Sequence, residues 1–231
     1  MAEFVFEQNA DGTIQKILKD GNPQNTEVRL EQVFSVVTIY FESARHNLAQ
    51  MNGENDSRSR RRLGMQCFLM SLMGLEAFTN TYFLLRGREQ KNSSIERRVN
   101  ENHGSITKKI ESLVKMTFGE LLEDQKMLIG QIYQLTQLRH EIVHPKWTPA
   151  SLEIQSENCI ILEGLTENRQ AIFEEEKICR EALFFCLLVI ARVGQISNSQ
   201  NIEGFLFHWT GFFGLTLDAI VQEVDDCAME H

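Results

Sequence analysis

Residues 63–85 constrain this chain more than any other stretch: 15 of the 23 are apolar and the only charge is Glu76. A run this long and apolar has two fates, a membrane span or a helix enclosed by neighbouring helices. The preceding Arg58-Ser-Arg-Arg-Arg62 would suit a cytoplasmic anchor for a span. Against a span stand Gln66, Ser71, Thr79, Asn80, Thr81 and above all Glu76. A carboxylate near the bilayer centre costs roughly 2.5–3.5 kcal/mol on insertion scales. The segment is therefore expected to be the central helix of a soluble bundle, with no membrane partner.

Helical periodicity recurs along the chain. Val33, Val36, Val37, Tyr40, Phe41, Ala44 and Leu48 share a rhythm that predicts a helix over 26–51, with Thr26 as N-cap and Gly53 beyond its end. Further helices are expected at 105–117, opened by Ser105, and from 120 to Val143 or His144. Pro145 disfavours helical geometry at the residue before it. Two more are expected over 168–196 and 203–223, whereas the polar residues 88–104 read as a loop or a frayed helix. Alternating residues at 3–18, around Asp11-Gly12, and at 152–164, around Ser156-Glu157-Asn158, suggest β-hairpins. With 3 prolines and 14 glycines, a many-turned β-sandwich is disfavoured. The expected fold is all-α, an up-and-down bundle of about six helices with one or two small β-hairpins. It forms one domain over 1–231: an N-terminal hairpin or extension (1–25), the bundle (26–196) and a C-terminal helix (202–225).

Composition narrows the function classes. The net charge of −9 hides an asymmetry, because residues 58–115 carry 12 Lys/Arg against 5 Asp/Glu. An acidic chain is a poor general polyanion binder, yet a confined basic segment can steer an anionic ligand. Cys67, Cys159, Cys179, Cys186 and Cys227 form no C-x-x-C pair, and five thiols cannot all be bridged. With no basic, apolar leader in MAEFVFEQ, reduced thiols and a cytoplasmic location are expected.

Chemistry concentrates in Leu138-Arg-His-Glu-Ile-Val-His-Pro145. Leu128, Ile132, Leu135, Arg139 and Ile142 follow one another at spacings of four and three, so Arg139 occupies a place where an apolar residue is expected. A guanidinium there needs a carboxylate or an anionic ligand. Glu76 is the internal candidate, and a buried Arg139–Glu76 ion pair would make the arginine purely structural. His140-Glu141-x-x-His144 also matches the zinc-peptidase helix, in which two imidazoles share a face and the glutamate is general base. Pro145 interrupts that helix early, and a third ligand would have to come from Glu163 or Glu167. The spacing Arg139-x-x-x-x-His144 is a third pattern; Arg98 and His103 repeat it, but without an apolar stripe.

With its helix tail, a polar residue after the arginine and proline after the histidine, this string resembles the late motif of the HEPN family (higher-eukaryote and prokaryote nucleotide-binding domains). Gly74-Leu-Glu76-Ala-Phe-Thr-Asn80 resembles that family's earlier acidic helix. The resemblance spans about residues 26–195. It implies a dimeric, metal-independent endoribonuclease without cofactor, a toxin or phage-defence effector, with a possible antitoxin partner. Arg139 and His144 would be the reacting pair, and His140, Glu76 and Asn80 would support them. Arg61, Arg62 and Lys146 would contact RNA. Histidine suits proton transfer near neutrality, and arginine forks onto phosphate oxygens. One subunit offers one clear histidine acid/base, which makes a two-fold dimer the natural arrangement. The competing readings are a non-catalytic nucleotide- or protein-binding module and a zinc hydrolase.

Overall fold

A computed structural model of the chain describes residues 4–8, 14–23, 36–101, 104–144, 151–156, 159–163, 171–197, 199 and 201–229. It divides into two compact units, Met1–Val33 and Phe34–His231. The N-terminal hairpin, expected within a single domain, belongs to a unit of its own.

In the first unit, β1 (Phe4–Gln8), β2 (Ile14–Lys19) and β3 (Asn22–Pro23) form an antiparallel sheet in that order. The β1–β2 pairing follows the expected hairpin, although Asp11-Gly12 lies outside the described residues. The third strand was not foreseen. Asp20 (φ 52°) and Gly21 (φ 78°) both adopt left-handed geometry between the pairs Lys19↔Asn22 and Leu18↔Pro23. Two consecutive positive φ values make the turn whose twist matches antiparallel strands.

The second unit is the bundle. Its helices are α1 (Val36–Asn52), α2 (Ser57–Glu89), α3 (Ser93–Asn100), α4 (Ile106–Phe118), α5 (Gln125–Val143), α6 (Glu176–Ile196), α7 (Ile202–Thr210) and α8 (Leu217–Met229). A hairpin of β4 (Ser151–Ser156) and β5 (Cys159–Glu163) stands where alternation placed it. The all-α bundle with small β embellishments is thus the observed fold.

The hub is α2, which packs on α1, α3, α4, α6 and a 3₁₀ turn at Ala171–Glu174. It is long and apolar enough to cross a membrane by length and composition, and 50% of its most apolar window is buried within the bundle. Its N-terminus is capped by the Asp56 carboxylate, which accepts from the Ser59 N–H at 2.8 Å. Its last turn carries Arg86 and Arg88, favourable against the helix dipole. Opposite it, α6 is buried almost continuously from Ala182 to Gly194. Phe78 and Tyr82 meet Trp209 of α7 edge-on, with ring centroids 5.1 and 5.7 Å away.

Four boundaries differ from expectation: α5 begins at Gln125 and not at residue 120, and the other three have local reasons. The polar 88–104 stretch contains α3, which buries Ile95 and Val99 and is capped by Asn92 accepting from the Ser94 N–H. The single C-terminal helix is two, because Gly211 (φ 75°) and Gly214 (φ 70°) turn the chain while Phe212 plugs the core. The helix expected from residue 168 begins at Glu176. Before it, Phe173 is fully buried, its ring 5.1 Å from that of Phe68, in the short 3₁₀ turn.

Candidate functional site

Helix α5 leaves the core gradually. Leu128, Ile132 and Leu135 are buried, whereas Leu138 and Ile142 are only partly covered. Arg139 therefore falls where the apolar stripe emerges into solvent. Its Nη1 donates to Glu76 Oε2 at 3.2 Å, with 34% of the arginine side chain and 47% of the glutamate exposed. The two carbon-chain partners are those anticipated, but the buried ion pair is not found. A water-exposed pair contributes at most about 1 kcal/mol, so bundle stability alone does not explain Arg139.

His144 closes α5. Its backbone has left helical geometry (φ −124°, ψ 66°), yet its N–H still donates to the His140 carbonyl at 2.9 Å. The His140 and His144 rings touch, with centroids 5.0 Å apart and planes inclined by 53°. The histidine at the helix end thus packs against His140. The motif divides into a guanidinium paired with Glu76 of α2 and a solvent-exposed imidazole pair, His140 next in sequence and His144 at the helix end. Lys146 lies outside the described residues.

Glu76 and Asn80, four apart on α2, share a face. Both line a cavity of about 680 Å³ whose other walls include Leu84, Val99, Ile106, Arg88 and Lys109. Asn80 Oδ1 is itself closed off from solvent and, among the described residues, has no hydrogen-bond partner. Lys109 Nζ donates to the carbonyls of Val99 and Glu101. Burial draws the Lys109 ammonium below the usual lysine value, with the nearby Glu76 charge pulling the other way.

Arg61 and Arg62 are not brought to this place. Arg61 Nε donates to Glu174 Oε1 at 3.0 Å, which ties α2 to the 3₁₀ turn and holds the Glu174 carboxyl below its ordinary range. Arg60 does related work, donating to the carbonyls of Met51 (2.8 Å) and Glu174 (3.2 Å). Arg62 is exposed, and fourteen residues of helix separate it from Glu76, about 21 Å at 1.5 Å per residue. Arg61 thus ties α2 to the 3₁₀ turn.

Among the described residues the one buried arginine is Arg192, which the motif at 138–145 does not include. Arg192, only 9% exposed in the apolar face of α6, donates to Glu123, to Asp124 at 3.1 Å and to Gln195 at 2.8 Å. Its signal was plain: a single charge inside Ala-Leu-Phe-Phe-Cys-Leu-Leu-Val-Ile-Ala-Arg-Val-Gly. Among the described residues no three His, Cys, Asp or Glu side chains converge as a metal site around His140 and His144. Comparison with family models, curated proteins and solved structures finds no match for this chain.

Proposed function

We propose that the chain is a HEPN-like, metal-independent endoribonuclease that acts as a homodimer. The observation that supports this most is Arg139 itself, kept on an apolar stripe and partly open to water, with His140 next in sequence and in ring contact with His144. Among the described residues its only hydrogen bond uses Nη1, which leaves Nε and Nη2 to fork onto two phosphate oxygens.

In the proposed reaction one imidazole accepts the proton of the RNA 2′-hydroxyl, and the O2′–P bond forms. Arg139 stabilises the charge on the phosphorane oxygens. The P–O5′ bond then breaks as the second imidazole delivers a proton to the leaving oxygen. The products are a 2′,3′-cyclic phosphate and a 5′-hydroxyl end. His140 beside His144 supplies two proton-transfer groups within one subunit, so the homodimer rests on the family resemblance and not on a missing acid or base. Exposed Met127, Tyr133 and Val143 on α5 are apolar surface available for such an association. A toxin or defence role belongs to the same proposal.

The test is direct. Purified protein in EDTA should cleave RNA and leave cyclic phosphate ends, and light scattering should report twice the chain mass. Cleavage by wild type that persists unchanged in Arg139→Ala and in His144→Ala would refute the assignment.

A further inference from the structure

Side chains four apart on a helix share a face, and on α5 that spacing joins two imidazoles, His140 and His144, both exposed. Their ring centroids are 5.0 Å apart and their planes inclined by 53°. Two imidazoles bound to one tetrahedral ion through Zn–N bonds of about 2.1 Å would have ring centres about 5 Å apart. The pair thus already stands at the separation that chelation requires, and pre-organisation of this kind favours binding. The backbone contributes: α5 ends at His144, yet the His144 N–H still donates to the His140 carbonyl at 2.9 Å, which keeps the last turn closed. Arg139, next in sequence to His140, has its charge offset by Glu76. Among the described residues no third ligand joins the two imidazoles, so the remaining positions on an ion fall to water.

We propose that His140 and His144 are the protein ligands of a surface site for a divalent ion that prefers nitrogen donors, such as Zn²⁺, and that the occupied site is closed to RNA cleavage. The effect on cleavage rests on the nuclease reading; the binding does not. A ring nitrogen bonded to the metal can neither take a proton from the 2′-hydroxyl nor give one to the leaving oxygen. Imidazole suits Zn²⁺, Cu²⁺ and Ni²⁺, whereas Mg²⁺ takes oxygen ligands. With two protein ligands instead of the three or four of catalytic and structural zinc centres, the ion is held reversibly. The His-Glu-x-x-His spacing then marks a place where metal stops the reaction, not a hydrolase centre.

The full chain, stripped with EDTA and exchanged into a buffer without chelator, is titrated calorimetrically with zinc, copper(II) and magnesium chlorides. One Zn²⁺ should bind per chain, Cu²⁺ more tightly than Zn²⁺, and Mg²⁺ not at all. His140→Ala and His144→Ala should each weaken Zn²⁺ binding at least tenfold. His46→Ala and His208→Ala, which remove two other exposed histidines, should leave it unchanged. His140→Gln and His144→Gln repeat the measurement if an alanine variant melts low. Absence of Zn²⁺ binding by wild type, or affinity that survives loss of both imidazoles, overturns the site. Cleavage is scored separately, with saturating Zn²⁺ and again after EDTA. Zn²⁺ should slow the wild type at least tenfold, EDTA should restore the rate, and Mg²⁺ should not change it. Cleavage undiminished by bound Zn²⁺, or seen only with Zn²⁺, overturns the inhibition. Zn²⁺ held by the pair in a chain that never cuts RNA upholds the site and removes the nuclease. Cleavage in EDTA by a chain that binds no Zn²⁺ removes the site and leaves the nuclease standing.

Discussion

Arg139 and Arg192 show how exposure decides the meaning of a charge. Both interrupt apolar stripes, but Arg192 is enclosed on α6 and meets two carboxylates and an amide, whereas Arg139 is about a third exposed and, among the described residues, bonds only Glu76, at 3.2 Å. Arg139→Ala is therefore expected to lower stability by no more than about 1 kcal/mol while reducing RNA cleavage by about 10²–10³-fold, the effect of losing one donor to a transition-state anion. Thermal melts and single-turnover cleavage read the two quantities independently. Arg139→Lys should also lose most activity, because an ammonium cannot fork across two phosphate oxygens. Activity that survives with lysine would argue for a simple charge at this position.

Between elements, close approach and ion pairs carry the packing. A Cβ at Gly64 of α2 would lie 2.1 Å from the Phe173 carbonyl oxygen and 3.0 Å from Cys179 Sγ. The 3₁₀ turn and α6 approach α2 only because that side chain is absent. Gly64→Ala should destabilise the bundle by about 1–3 kcal/mol or more through overpacking, seen as a lower denaturant midpoint. The same junction predicts a pH dependence. Arg61 depresses the Glu174 carboxyl, and a depressed carboxylate contributes stability that is present above its unfolded value, about 4.3, and lost as pH falls through the folded one. Wild type should therefore lose more melting temperature than Glu174→Gln on acidification below about pH 5. Parallel acid titrations of the two proteins would expose an error here.

Across the whole molecule, the thiols report on the fold. Cys67, Cys179 and Cys186 are buried and unbridged. Desolvation pushes the Cys67 thiol up to about 12 and those of Cys179 and Cys186 upward as well. Since the thiolate is the reactive form, these three should resist iodoacetamide in the native state and label together on unfolding. Peptide mapping by mass spectrometry would detect early labelling of any one of them. The expectation of free thiols was available from the cysteine pattern. Their shared burial between α2 and α6 was not, because it depends on which faces of two distant helices meet.

Periodicity and composition by themselves determined the helical class, the central helix, the hairpin at 152–164 and the stripe that ends at Arg139, since these depend on residues within a few positions of one another. Asp20-Gly21, Asn92 and the Gly211–Gly214 turn were equally local signals, and a closer reading of turn and cap chemistry would have found β3, α3 and the break before α8. Tertiary structure alone decided the rest: that the Arg139–Glu76 pair is open to water, that Arg61 belongs to Glu174, and that His144 rests on His140. Each of these is a meeting of side chains far apart in the chain, or at a helix end freed from regular geometry. Solvent exposure there follows from how neighbouring elements cover a surface, a property that no single segment carries.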